Sequence, residues 1–246
     1  MSTVNALRAF GRNDLAGIRR DSMLRVLVFA PLVYAGIVRF ALPPLTAVLD
    51  ERYGFDLVPY HPLILSQFLM LGPAAILGAL AGLMLLDEKD TGTLHALRVT
   101  PVPLSTFAAY RIATLILVCT LFVVLSLALS GYVPAAQLPG AALAGLCSGL
   151  TAALVAVLMA LVADNKVEGL AVVRAVGMIV FGLPVLPWFV PGGWELLFGV
   201  LPSYWPAKIF WVVAGGGTLW PWLLAGLAVN GLALALLMRA FSRRNT

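Results

Sequence analysis

The residues that could do chemistry are few in this chain, and most stand together. Residues 87–111 read Asp-Glu-Lys-Asp-Thr-Gly-Thr-Leu-His-Ala-Leu-Arg-Val-Thr-Pro-Val-Pro-Leu-Ser-Thr-Phe-Ala-Ala-Tyr-Arg. Charged and small side chains on a short helix suit docking against a soluble partner better than bond-making. Thr91 or Thr93 can cap a helix running through Arg98, and Pro101 stops it. Glu88 and Asp90 precede that helix. Carboxylates there favour its positive end and are placed to pair with basic groups on a partner. The alternative is a solvated loop that merely joins two apolar segments.

Bond-making motifs are missing. No G-x-x-x-x-G-K-[ST] loop occurs to cradle a phosphate. The lysines are Lys89, Lys166 and Lys208, and none follows a glycine. There is no H-E-x-x-H, and the two histidines, His61 and His95, stand far apart in loops. The expectation is no catalytic residue, no metal and no cofactor. Cys119 and Cys147 fall inside apolar runs and read as free thiols packing as small hydrophobes.

Three polar residues interrupt the apolar runs and are candidates for a substrate path: Arg39, Gln67 and Asn230. A charge inside a span costs roughly 2.5–3.5 kcal/mol on insertion scales when central. Arg39 escapes that cost by snorkelling to the outer headgroups or by pairing with Asp50 or Glu51; the other reading is a path residue. Gln67 and Asn230 can hydrogen-bond across helices. Two G-x-x-x-G patterns, Gly78 to Gly82 and Gly145 to Gly149, permit close helix approach.

The elements that must position these residues follow from composition. Of 246 residues, 61% are hydrophobic and only 11% charged, against roughly 25% charged in a soluble domain. The surplus apolar surface needs lipid. A crossing takes about 20 apolar residues, and six such runs occur: about 24–49, 63–86, 106–129, 141–163, 170–189 and 218–238. The chain carries no charge between Arg111 and Asp164, too long for one crossing, so the Pro- and Gly-rich stretch from Ser130 to Gly140 is the break. Pro184 and Pro187 kink the end of the fifth span. Two short pieces, around Trp194–Leu201 and Ala207–Ala214, read as a re-entrant or interfacial pair. Residues 3–21 form an amphipathic interfacial helix, or else a frayed terminus. The fold class is all-α membrane protein, a single domain over 1–246.

The basic residues set the orientation. Arg8, Arg12, Arg19, Arg20, Arg25, Lys89, Arg98, Arg111, Lys166, Arg174, Arg239, Arg243 and Arg244 fall on one side, and only Arg52 and Lys208 on the other. Both termini are therefore expected in the cytoplasm of a bacterium, with the chain in its plasma membrane. This bias also explains the net charge of +5 without nucleic acid.

The pattern acidic-basic-acidic-x-Gly-Thr-Leu-x-x-Leu-x-Val-Thr-Pro leaves a second span and leads into a third. It resembles the permeases of type-2 ATP-binding-cassette exporters. The matching positions are Glu88, Lys89, Asp90, Gly92, Thr93, Leu94, Leu97, Val99, Thr100 and Pro101, with Arg111 as the basic residue that commonly opens the next span. The segment Leu201-Pro202-Ser203-Tyr204-Trp205-Pro206 and the overall size are similar to actinobacterial drug-export permeases of the fluoroquinolone type. The resemblance implies that residues 88–101, including Arg98, couple the spans to a separate ATPase subunit that binds ATP and Mg. It also implies a second permease subunit, identical or different, and a hydrophobic or amphipathic cargo, drug or lipid-like. The rival readings are a secondary transporter, disfavoured by the scarcity of ionisable groups in the spans, and a membrane enzyme, disfavoured by the missing motifs.

Overall fold

A computed structural model of the chain describes residues 22–90, 104–190 and 192–245. The interfacial helix expected over 3–21 and the coupling segment at 91–103, with Gly92, Thr93, Leu94, Leu97, Arg98, Thr100 and Pro101, lie outside the described residues. Among the described residues there is no strand. The helices are α1 (Ser22–Tyr53), α2 (Val58–Asp90), α3 (Leu104–Ser130), α4 (Leu138–Val162), α5 (Lys166–Phe189), α6 (Tyr204–Ala214) and α7 (Trp220–Asn245). All but α6 are long and apolar enough to cross a membrane, giving six candidate spans.

The helices do not share burial equally. Most residues of the apolar stretches of α2 and α4 are buried, whereas under a quarter of those in α1, α3, α5 and α7 are. The exposed side chains are apolar: Phe29, Val33, Ile37 and Phe40 on α1, and Leu117, Leu121, Leu125 and Leu129 on α3. Leucines at every fourth position form a stripe that water would not tolerate and hydrocarbon accepts. The fold is thus two central helices sheathed by four that face lipid, as a multi-pass membrane protein requires.

Glycine sets how closely the centre packs. A Cβ on Gly78 would lie 2.7 Å from the Ala152 carbonyl oxygen, and one on Gly149 2.7 Å from that of Ile116. The two G-x-x-x-G patterns therefore bring α2 and α3 each close against α4.

Two spans widen into π-helical segments, Ser66–Leu71 in α2 and Met178–Gly182 in α5. A proline stands two residues beyond each, Pro73 and Pro184. Proline has no N–H and its ring crowds the carbonyl four residues back, so the preceding turn opens. After Pro184, α5 finishes as a 3₁₀ helix over Leu183–Phe189, which is the form the expected kink takes.

The segment before the last span dips into the bundle. A 3₁₀ stretch, Gly192–Val200, leads to a break at Leu201–Ser203, and α6 follows. The Pro202 carbonyl lies 3.4 Å from Thr151, midway along α4. A Cβ on Gly140, near the start of α4, would lie 3.1 Å from Val213, near the end of α6. So α6 runs from the middle of the bundle back to the end at which α4 begins, with Tyr204, Ile209 and Phe210 buried.

The close α3–α4 contact yields a stability test. Gly149→Ala places a methyl against backbone that cannot swing away, and overpacking of this kind costs roughly 1–3 kcal/mol. Gly36→Ala meets nothing within 4 Å and should be neutral. Thermal unfolding of the two purified variants in detergent should show a clear loss for the first alone. Equal melting temperatures would mean that α3 and α4 do not pack as described.

Candidate functional site

At one end of the bundle the α2 terminus, the α4–α5 turn and the start of α3 hold nearly every described charge that pairs. α2 continues as helix through Asp90. The carboxylates expected to await a partner are turned inward to this chain. Glu88 pairs with Arg111 of α3, their side chains 15% and 9% exposed. Lys89 Nζ lies 3.0 Å from Asp164 and donates to the Ala163 carbonyl at 3.2 Å, where α4 ends; a cation there complements the helix terminus. Lys166 Nζ reaches Asp87 at 3.5 Å. Its backbone N–H donates to Asp90 Oδ2 at 3.2 Å, so Asp90 serves the first turn of α5.

That first turn is closed by an Asn165 N-cap, with Glu168 reaching back to the residues before the helix. Asn165 Oδ1 accepts from the Glu168 N–H at 2.9 Å, and Glu168 Oε1 accepts from the Asn165 side-chain amide at 2.9 Å. The Asp164 N–H donates to Glu168 Oε2 at 2.9 Å. Asn-x-x-Glu before an apolar run is a readable helix-start signal, and the sequence reading passed over it. Residues 87–90 are therefore fastened to three other spans: α3 through Arg111, and α4 and α5 through Lys89, Asp87 and Asp90. A displacement of the segment that follows Asp90 would be felt across the bundle.

The three interior polar residues part company. Arg39 does not pair with Asp50 or Glu51, as one reading of the sequence had it. Its Nη1 donates to the Leu129 carbonyl at 2.8 Å, an unspent acceptor in the last turn of α3. A helix end in lipid must find donors for its last carbonyls, and that need, stronger than attraction to exposed carboxylates, fixes the guanidinium. The chain then turns at Gly131 with φ +77°, an L-residue-unfriendly geometry that closes the helix. Arg39 thus snorkels to the end of the bundle opposite the charged cluster.

Asn230 is fully buried. Its amide donates to the carbonyls of Pro202 and Gly226 at 3.2 and 3.0 Å, and its Oδ1 lies 3.2 Å from the Thr151 hydroxyl. Both side chains converge on Pro202, whose carbonyl is left without a helical partner by the break before α6. Asn230 holds the dipping segment in place. The arm before the break is tied separately: Lys208 Nζ meets Glu195 at 2.6 Å and lies 4.6 Å from the centre of the Trp222 ring.

Gln67 differs from both. It is buried in the π segment of α2, and neither its amide nitrogen nor its oxygen has a hydrogen-bond partner among the described residues. The neighbours are engaged: Ser66 accepts from the Trp211 indole N–H at 2.8 Å, and Phe68 sets its ring edge-on to Phe181 with centroids 5.6 Å apart. Phe181 lies in the second π segment, so the two widened turns face one another. An amide without partners in an apolar interior costs about 1–3 kcal/mol. Nearer the charged end, an apolar crevice of about 210 Å³ lies between α1, α2, α4 and α5, lined by residues including Leu27, Ala75, Ala79, Leu83, Val173 and Gly177.

Comparison with known proteins gives one family. The family described as fluoroquinolones export permease protein Rv2686c-like matches residues 14–238. Two curated relatives from Mycobacterium tuberculosis carry the name fluoroquinolones export permease protein, Rv2686c of strain H37Rv and MT2760 of strain CDC 1551 / Oshkosh. Each is 48% identical over 240 residues, covering 98% of this chain and 95% of the relative. No solved structure matches.

The Glu88–Arg111 pair can be tested on its own. Breaking a buried charge pair by removing one member costs roughly 3–5 kcal/mol, whereas replacing both is far milder. Glu88→Ala should therefore lower the melting temperature of the purified protein, and Glu88→Leu with Arg111→Met should recover much of the loss. If Glu88→Ala melts with the parent, the pair carries no stability.

Proposed function

The chain belongs to the Rv2686c-like family of export permeases, and from that premise we propose that it forms the membrane path of an ATP-driven exporter whose ATPase is a separate subunit. The observation that carries the coupling is the fastening of residues 87–90 to α3, α4 and α5. A soluble ATPase bearing on residues 88–101, where the resemblance to type-2 ATP-binding-cassette permeases lies, would push on several spans at once. ATP and Mg belong to that partner. A second permease subunit, identical or different, completes the path, with lipid around the exposed faces of α1 and α3.

In this reading the charged end and both termini face the cytoplasm of a bacterium. The segment before α7 is a re-entrant hairpin entering from the outer side. The cargo is hydrophobic or amphipathic, as the names of the relatives suggest. It meets the apolar crevice between α2 and α5 and, where Phe68 and Phe181 part, the unpaired amide of Gln67. The π segments are the places where these two spans can yield, since each has already given up a regular hydrogen-bond register.

Three measurements test this. The purified chain alone should hydrolyse no ATP, and the ATPase chain should co-purify with it; robust hydrolysis by the isolated polypeptide would sink the assignment. A cysteine at Gly193 should be modified by an impermeant reagent outside intact cells and one at Gly92 should not; the reverse result inverts the topology. Gln67→Leu removes the unpaired amide, so it should raise the melting temperature while lowering export of cargo that carries hydrogen-bonding groups. Higher stability with unchanged export would remove Gln67 from the path.

A further inference from the structure

At the end of the bundle opposite the charged cluster lies a cavity of about 580 Å³, within the range of sites for drug-sized ligands. Pro43, Thr46, Asp50, Asp56, His61 and Tyr132 line it. We propose that this cavity is an outer vestibule that binds the protonated amine of a cationic amphipathic molecule. The proposal deepens the export reading, because it names a feature of the cargo and a second place where the cargo rests.

The lining is built, not incidental. α1 ends at Gly54, φ +62°, where the Gly54 N–H donates to the Asp50 carbonyl at 2.9 Å and the Phe55 N–H to that of Leu49 at 3.1 Å. This paired closure turns the chain back sharply. Asp56 is then fixed by accepting the Val58 N–H on Oδ1 at 2.9 Å, while Phe55 stacks on Tyr60 with ring centroids 5.6 Å apart. Tyr132, from the α3–α4 connection, meets the His61 ring edge-on at 5.2 Å.

Hydrogen-bond accounting settles the character of the groups. The Thr46 hydroxyl has one proton and gives it to the Leu42 carbonyl at 2.9 Å. Its oxygen can then only accept from His61 Nε2, 3.2 Å away. His61 therefore carries its proton on Nε2 when neutral and keeps the Nδ1 lone pair unspent. Asp50 makes no side-chain hydrogen bond or ion pair among the described residues, and Asp56 keeps its second oxygen. No lysine or arginine lines the cavity. The walls thus offer three acceptors, two of them anionic, and no cation to satisfy them, beside the apolar surfaces of Pro43, Val58 and Tyr132. That set matches an ammonium group with several N–H donors on an apolar body, and it repels carboxylates.

The test uses the full-length chain in lipid nanodiscs and two probes: the ethyl ester of a piperazinyl quinolone, and the same ester acetylated on its distal nitrogen. Acetylation removes the charge and keeps the rings. Asp50→Asn with Asp56→Asn should weaken binding of the charged probe about tenfold, the scale of a charge-assisted hydrogen bond, and leave the acetylated probe within about twofold. His61→Phe, which keeps the ring contact with Tyr132, should weaken the charged probe severalfold. If the double variant leaves the affinity ratio of the two probes unchanged, whether both fall together or neither moves, the vestibule is overturned. Export of both probes is followed separately in cells. Carboxylate-dependent binding of the charged probe without export of either faults the export reading and leaves the vestibule standing.

Discussion

A carbonyl with no N–H partner cannot turn to water inside hydrocarbon, and that constraint accounts for almost every polar side chain in this bundle. At several helix ends and breaks a donor arrives from another element. Arg39 of α1 serves Leu129 at the end of α3, and Lys89 of α2 serves Ala163 where α4 stops. Asn230 of α7 serves Pro202 at the break before α6. The Ser126 hydroxyl of α3 donates at 3.2 Å to the carbonyl of Pro31, one of three prolines inside α1. Each of these bonds joins elements distant in sequence. Satisfying the backbone and assembling the bundle are therefore one event, and the polar residues of the spans hold helices together without needing any hydrophobic drive between them.

Gln67 gains meaning against that background. Around it, Ser66 is spent on Leu63 and Trp211, and Phe68 on Tyr34 and Phe181. The one amide left over sits where the helix has lost its regular ladder. A leucine would fill the site at lower energy. An unpaired amide in a widened turn is the interior polar group most open to a further hydrogen bond, which is why the proposed path runs past it.

Much of this was legible in the sequence, because hydropathy and proline report directly on lipid. The six spans and the break after Ser130 follow from run lengths and from Pro134, Pro139 and their neighbouring glycines. The kink in α5 follows from Pro184, and the same reasoning applied to Pro73 would have found the π segment holding Gln67. The family resemblance lay in residues 88–101, and comparison with known proteins bears out the export-permease group. What the sequence could not show is which residues meet across helices. Glu88 and Asp90 read as carboxylates offered outward, yet spacing along one chain says nothing of Arg111 or Lys166 lying beside them. Arg39 read equally well toward Asp50, since a carbonyl at a helix end leaves no mark in residue type. The cavity of Asp50, Asp56 and His61 was invisible for the same reason: its walls come from two spans and two turns.

The two ends of the bundle are consequently opposite in character. At one end Asp87, Glu88 and Lys89 each meet an opposite charge on a different element, Lys166, Arg111 and Asp164. Such cross-linking resists relative movement of α2, α3 and the α4–α5 turn, so a load applied there moves them together. At the other end Asp50 makes no side-chain hydrogen bond or ion pair among the described residues, and the carboxylates face a cavity without a cation in its walls. Two carboxylates lining one cavity favour a positive guest. Under the proposed function, force taken at one end and cargo released at the other would call for stiffness at the first and unspent acceptors at the second. Both arise here from where a handful of charges find, or fail to find, partners within the chain.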